Sequence, residues 1–99
     1  MTTYLVSRHP GTIDWIERQG ISVDERVSHI DPRSLGEGDR VVGNLPVHLA
    51  AIVCSLGAEY YHLSMELPPR LRGVELDANT LEEVGARLER FQVERRQSR

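Results

Sequence analysis

The chain has 99 residues and a formal net charge of −3, with 39% hydrophobic and 27% charged residues. This length fits a single domain, and the negative charge argues against binding to long nucleic acid. All 12 basic residues are arginines, which excludes lysine-based chemistry, and the single cysteine, Cys54, excludes an internal disulfide and a cysteine-cluster metal site.

The first part of the chain predicts a strand, a helix and a second strand. β-forming residues make Thr3–Ser7 the first strand, and a helix follows over Thr12–Gln19. Trp15 lies off the apolar stripe of this helix, so we expect it at a sheet edge or in an interface. Arg26–Ile30 predicts the second strand, and the breaker residues of Asp31–Asp39 predict a long turn.

The middle of the chain repeats the strand-to-helix pattern. Arg40–Gly43 predicts a short third strand, and Pro46–Leu56 predicts a nearly uncharged and therefore largely buried helix. We expect Cys54 to be buried within this helix. Glu59–Met65 predicts the fourth strand, whose residues alternate between the two faces. The residues predicted to share one of these faces are Tyr60, His62 and Ser64.

The last part of the chain predicts a loop and a third helix. Pro68–Gly73 forms the loop, which is either a mobile flap or a plain connection. The third helix is predicted to start near Asn79, with Glu82 completing a capping box, and residues 95–99 are expected to be a frayed tail. The apolar stripe of this predicted helix consists of Leu81, Val84, Leu88 and Phe91. Its expected surface ion pairs are Glu83 with Arg87 and Arg90 with Glu94.

Together these elements predict an α/β fold. The order strand, helix, strand, strand, helix, strand, helix favours crossover connections and a mostly parallel sheet. We therefore expect residues 1–99 to form one Rossmann-like or flavodoxin-like domain, with a four-stranded sheet and about three helices.

The turns after the first, third and fourth strands predict a ligand site. In a parallel sheet these turns open at the same edge, where ligands bind, and two of them lead into helices whose first N–H groups are unpaired. An arginine fork and free N–H groups suit a phosphate. The expected ligand contacts are Ser7, Arg8, His9, Pro10, Gly11, Gly43, Asn44, Leu45, Pro46 and Ser64.

Each of these residues also has a simpler interpretation. Arg8 would then pair with a surface carboxylate, His9 would be an ordinary turn residue, and Asn44 would only satisfy a tight turn. Among the other histidines, we interpret His29 and His62 as structural or exposed, whereas His48 lies in the first turn of the second helix, near the predicted site.

The acidic residues give no metal prediction. Asp31, Asp39 and Glu66 lack a recognised ligand spacing, so we expect neither a metal nor another cofactor. Dinucleotide and P-loop glycine motifs are also missing from the sequence.

Three segments of the chain carry a family resemblance. Tyr4–Gly11, Gly38–Val47 and Tyr60–Pro68 resemble a family of small accessory proteins encoded beside type III CRISPR systems. The similarity runs from about Thr3 to Leu76 and keeps order and spacing. Such proteins are grouped with ring nucleases, which degrade cyclic tetra-adenylate, and have a core related to the CARF domain.

The resemblance implies a homodimer with cyclic tetra-adenylate on its twofold axis. The implied reaction is metal-independent: the ribose 2′-OH attacks the adjacent phosphorus and gives linear di-adenylates. For this reaction we expect Arg8 to stabilise phosphoryl charge, His9 to transfer a proton and Ser7 to orient the 2′-OH.

Two other functions remain open on the sequence. In the first, the protein would bind cyclic oligoadenylate without cutting it, as a sponge or sensor. In the second, it would be a protein-interaction module that uses Trp15 and the arginine-rich tail. No apolar run approaches the roughly 20 residues of a membrane span, and Met1–Thr3 leads directly into a strand, so we expect a cytoplasmic protein without membrane contact.

Overall fold

Five strands form one central sheet in the computed structural model, which describes residues 1–96. The strand order is β2-β1-β3-β4-β5, with β1 to β4 parallel and β5 antiparallel to β4. The elements are β1 (Thr3–Val6), α1 (Pro10–Arg18), β2 (Glu25–Val27), β3 (Arg40–Gly43), α2 (Val47–Ser55), β4 (Glu59–Ser64), α3 (Ala78–Glu83) and β5 (Arg87–Phe91). Short 3₁₀ helices at Pro32–Ser34 and Pro69–Leu71 interrupt the two long connections.

The prediction of an α/β domain with a mostly parallel sheet and three helices is confirmed. The predicted strand count of four is wrong, because the described residues contain a fifth strand. Of the tail predicted at 95–99, residues 97–99 lie outside the described residues, while Arg95 and Arg96 are exposed and belong to no helix or strand.

The fifth strand lies where the sequence predicts the second half of a long helix. Instead, α3 ends at Glu83, and Gly85 follows in the left-handed conformation with φ 74°. A glycine adopts this conformation without steric cost and commonly ends a helix. The chain then extends along β4, with Leu88 packed into the core and its neighbours Arg87 and Glu89 exposed.

The surface ion pairs predicted for the last helix, Glu83 with Arg87 and Arg90 with Glu94, are therefore wrong. Arg87 lies 3.2 Å from Glu66 and 3.5 Å from Glu89, and Arg90 lies 3.9 Å from Glu59. The helix also begins earlier than predicted. Asp77 caps it by accepting the Thr80 N–H at 2.8 Å, in place of the expected capping box.

The core consists of one apolar layer on each face of the sheet. Tyr4 and Val41 point to the face covered by α2 and pack with Val53. Leu5 and Val42, the next residues of these two strands, point to the other face, where α1 and α3 pack. The residues of this second layer that lie nearly or fully out of solvent are Leu5, Trp15, Ile16, Val42, Leu63, Ala78 and Leu81.

The placement of Trp15 corrects the sequence prediction. Its side chain is 3% exposed and forms part of the core between α1 and α3. Its indole N–H donates to Glu82 at 2.7 Å, which satisfies the buried polar atom and ties the two helices together. Trp15 therefore does not present a surface for another protein. Cys54 is buried, as predicted.

Within residues 1–96, the longest helices have nine residues and none meets the length and apolarity that a bilayer crossing requires.

Candidate functional site

The turns after β1 and β3 meet at the carboxyl edge of the sheet. Val6 and Gly43 are direct neighbours in the β1–β3 register, so the two turns leave the sheet side by side. Both turns line one cavity of about 340 Å³. The predicted site residues in its lining are Ser7, Arg8, His9, Asn44, Leu45 and Pro46.

A second cavity continues from the first across the end of β4. Its volume is about 680 Å³, and it shares His9, Thr12 and Asn44 with the first cavity. Ser64, the last residue of β4 and a predicted contact, lines this part. We call the two adjoining cavities the edge groove. The edge groove therefore brings together residues from all three predicted turns.

The first turn is shaped by its own side chains. Ser7 Oγ accepts the His9 N–H at 3.1 Å, and Pro10 occupies the first helical position, where no N–H is needed. No side chain of the described residues caps α1. The helix therefore starts without a side-chain cap, and Thr12 in its first turn lines both cavities, where its N–H is available to an anion.

Gly11 allows the chain before α3 to approach this turn. It is buried, and a Cβ at this position would overlap the carbonyl oxygen of Leu76. The backbone of Leu76 therefore packs directly on the start of α1, and the preceding residue, Glu75, lies beside His9. Gly11 thus acts on the site through packing, although the sequence predicts it as a ligand contact.

A histidine–carboxylate pair lies on the edge groove. His9 Nδ1 is 3.0 Å from Oε1 and 3.1 Å from Oε2 of Glu75. A carboxylate only accepts hydrogen bonds, so Nδ1 carries the proton, and this leaves Nε2 to exchange a proton with another group. Both side chains are more than half exposed, at 65% and 61%, so a ligand can reach the pair.

Arg8 supplies positive charge to the groove. Its side chain is exposed and lines the cavity between the two turns. Within residues 1–96 it forms no ion pair at 4.0 Å or less, in contrast to Arg18, Arg33 and Arg40. The alternative interpretation, a surface ion pair with a carboxylate, is thus not observed in this part of the chain.

The second turn is held close to β1 by a glycine. A Cβ on Gly43 would lie 2.7 Å from the Val6 carbonyl oxygen, so a larger residue would push the two turns apart. Asn44 follows, and its Nδ2 donates to the Leu63 carbonyl at 2.8 Å. Asn44 therefore has a structural contact in addition to its position on the groove.

A buried tyrosine organises the second turn from beneath. Tyr60 is 2% exposed, and its Oη accepts the Leu45 N–H at 2.9 Å. The same oxygen lies 3.2 Å from the Gly43 carbonyl and 2.6 Å from His62 Nδ1. Burial raises the pKa of Tyr60, so the hydroxyl keeps its proton at neutral pH.

These contacts have one assignment that satisfies every atom. Tyr60 Oη donates to the Gly43 carbonyl and accepts from the Leu45 N–H and from Nδ1–H of His62. His62 Nε2 is then unprotonated, which agrees with Asn44 Nδ2, a donor, at 3.4 Å. The result is a chain of polar groups from the core to the groove.

The remaining candidate residues lie elsewhere. His48 lines a different cavity, between α2 and the segment 92–95, and not the edge groove. Asp31 accepts from the Arg33 N–H and side chain, Asp39 from the Thr2 N–H, and Glu66 faces Arg87. Among the described residues, no three or more of His, Cys, Asp and Glu form a group that could hold a metal ion.

The polar residues of the groove that sequence reasoning missed include Glu75, His62 and His29. His62 had a usable signal, because the strand alternation places it on the same face as Tyr60, next to the predicted turns. Glu75 had no usable signal in the sequence, because it is 66 residues from His9 and lies in a loop without a motif. Phe91 also lines the groove, although the sequence predicts it in the stripe of a helix.

The comparison with protein families gives a match over most of the chain. The model of a family described as "Putative CRISPR-associated protein (Cas_VVA1548)" matches residues 4–94, nearly the whole chain. The chain therefore belongs to this CRISPR-associated family, which confirms the CRISPR association predicted from the sequence. No curated protein and no solved structure gives a significant match.

Proposed function

From this family membership and the geometry of the edge groove, we propose that the protein is a ring nuclease, which binds and cleaves cyclic tetra-adenylate. The observation that carries the proposal is the meeting of Arg8, two uncapped helix N-termini and the His9–Glu75 pair in one groove. The positive groups suit a phosphodiester. The histidine supplies a proton-transfer group, for which a protein that only binds the ring has no need.

The groove also offers surface for the adenine bases. Phe91 is 44% exposed and Val74 is 53% exposed, and both line the groove beside its polar groups. Exposed apolar and aromatic side chains bind bases by stacking and burial of apolar surface. Phosphate groups would then contact the Arg8 side of the groove, and a base would contact the Phe91 side.

Cleavage is a transfer of the phosphoryl group within the ring. A base takes the proton of a ribose 2′-OH, O2′ bonds to phosphorus, and the bond from phosphorus to O5′ breaks. The departing 5′-oxygen receives a proton, so the products are linear di-adenylates with a 2′,3′-cyclic phosphate and a 5′-OH. Arg8 and the N–H groups of the turn stabilise the charge on the phosphoryl oxygens, and Ser7 orients the 2′-OH.

We further propose that the active form is a homodimer. The ring has twofold symmetry and four phosphates, so two copies of the groove around a twofold axis match it.

The outer face of α2 is the surface that we assign to the contact between the two subunits. It carries no charged residue between Val47 and Leu56, and its exposed apolar side chains are Val47 (74%), Ile52 (39%) and Leu56 (40%). This helix starts directly after the turn that lines the groove.

Ile52→Asp is therefore expected to produce a monomer and to lower cleavage. A charge on this apolar face would be buried without a partner in the dimer but solvated in the monomer. Light scattering should give about 22 kDa for the wild type, twice the chain mass of 11.2 kDa, and half of that for the variant. Ser22→Asp, an exposed loop position off this helix, is the control and should remain dimeric. A wild-type monomer that cleaves would contradict the dimer.

The direct test of the function is incubation with radiolabelled cyclic tetra-adenylate in EDTA, followed by chromatography. We expect linear di-adenylates, because the 2′-OH is an internal nucleophile and His9 moves protons without a metal. Tight binding with no product in EDTA or in magnesium would make the protein a sponge or sensor. Activity that depends on magnesium would contradict the metal-independent reaction. Absence of both binding and cleavage would contradict the proposed function.

A further inference from the structure

We infer that His62 is a second catalytic histidine: it accepts the 2′-OH proton, while His9 donates a proton to the departing 5′-oxygen. This inference rests on the proposed cleavage of cyclic tetra-adenylate. Both histidines line the same groove, one from the first turn and the other from β4. Transfer of a phosphoryl group from O5′ to O2′ needs one group that takes a proton and another that gives one.

The contacts of His62 favour the acceptor role. Tyr60 Oη, at 2.6 Å, receives Nδ1–H, because the tyrosine hydroxyl donates its own proton to the Gly43 carbonyl. Nε2 therefore carries a lone pair, and the N–H group of Asn44 at 3.4 Å is its long, weak partner. A 2′-OH that replaces this partner would find an unprotonated nitrogen with a fixed orientation.

Packing holds the imidazole in this orientation. Its ring meets Phe91 edge-on, with 5.7 Å between ring centroids, and Tyr60 edge-on at 5.8 Å. Glu89 lies opposite His62 in the register with β5, but its carboxylate is 3.5 Å from Arg87. The hydrogen-bond partners of the His62 ring are thus a tyrosine hydroxyl and an amide, with no carboxylate among the described residues.

His9 has the opposite environment. Its Nδ1 contacts the Glu75 carboxylate, which stabilises the positive charge of a doubly protonated ring by hydrogen bonding and attraction. A ring in this form donates from Nε2. One proton thus enters the site at His62 and one leaves it at His9, so the net charge of the site is unchanged by each cleavage. The two rings return to their starting forms when they exchange protons with water.

The test uses cyclic tetra-adenylate in which sulfur replaces each bridging 5′-oxygen. A thiolate leaves without protonation, so loss of the proton donor no longer slows the reaction, whereas loss of the acceptor still does. On the oxygen substrate, His9→Ala and His62→Gln should each lower kcat by about 10²- to 10⁴-fold. On the sulfur substrate, His9→Ala should recover to near the wild-type rate, and His62→Gln should remain slow.

Two further measurements separate catalysis from folding. The melting temperature and the Kd for the oxygen substrate should stay close to wild type in His62→Gln, because glutamine can still bond to Tyr60. On the sulfur substrate, the acid limb of the wild-type pH–rate profile should remain, and the alkaline limb should disappear.

Three results would overturn the inference. A wild-type rate for His62→Gln on the oxygen substrate would remove His62 from the reaction. Recovery of His62→Gln and not His9→Ala on the sulfur substrate would reverse the two roles. A His62→Gln protein with lowered melting temperature and lowered affinity would make His62 structural. In each case the wild type still cleaves, so these results differ from failure of the proposed function itself.

Discussion

His9→Ala should lower the rate of ring cleavage by about 10²- to 10⁴-fold and leave the affinity for cyclic tetra-adenylate nearly unchanged. The imidazole moves a proton only as the bonds to phosphorus change, so it contributes to the transition state more than to binding. The side chain is exposed and ends in a contact with Glu75, so its removal leaves the core intact. Single-turnover rates and equilibrium binding of the labelled ring measure the two effects separately.

The matched control for this prediction is His48→Ala. His48 is also an exposed histidine at the start of a helix, but it lines the cavity between α2 and the segment 92–95 and not the edge groove. His48 also lies on the face of α2 that we assign to the dimer contact, so light scattering must first show that the variant remains dimeric. We expect the dimeric variant to cleave at the wild-type rate. Equal loss of activity in His48→Ala, with no loss in His9→Ala, would transfer the proton-donating role to His48 and contradict the assignment made from the groove.

Glu75→Gln is a milder change to the same pair. Glutamine keeps a hydrogen bond to Nδ1 of His9 but removes the negative charge that stabilises the doubly protonated ring. The expected loss in rate is therefore smaller than that of His9→Ala, and the two changes combined should cost no more than His9→Ala alone. Losses that multiply would show that Glu75 acts independently of His9.

The sequence predicts the first half of this fold well because its signals are local. Thr3–Val6 is rich in β-forming residues, Pro10 suits the first turn of a helix, and Gly43 ends a short apolar strand. These features place the two turns at one edge of the sheet, and the candidate site follows from that placement. The boundaries shift by a few residues: α1 starts at Pro10, two residues before the predicted cap at Thr12.

The prediction of one long helix at the end of the chain is wrong because two sequence patterns overlap there. Leu81, Val84, Leu88 and Phe91 have the spacing of a helix, but Leu88 also alternates with the exposed Arg87 and Glu89, as in a strand. Gly85 decides between them, since it ends α3 in the left-handed conformation. The sequence contains this signal, and the helical spacing outweighed it in the prediction.

Glu75 and Tyr60 show what the sequence does not contain. Glu75 meets His9 because Gly11 lets the Leu76 backbone pack on α1, a contact between distant segments. Tyr60 meets the second turn because β3 and β4 pair in one particular register, Val41 with Tyr60. Only the assembled fold specifies either contact, so the residues that orient the site are less predictable than those that form its turns.

Arg8→Ala should weaken binding of cyclic tetra-adenylate by about ten- to a hundredfold, since a charge-assisted contact to phosphate contributes about 1.5–3 kcal/mol. Turnover at saturating ligand should also fall, because the guanidinium stabilises phosphoryl charge that grows in the transition state. Arg8→Lys keeps the charge but loses the planar fork of donors, so its loss of affinity and of turnover should be intermediate.

Arg26→Ala removes an exposed arginine that does not line the groove, and it should behave as wild type. Because Arg8 lies on an exposed turn and has no ion pair within residues 1–96, its replacement should not lower the melting temperature. Wild-type binding and cleavage by a folded Arg8→Ala protein would place the phosphates elsewhere, and the two uncapped helix N-termini would then be the remaining positive groups of the groove.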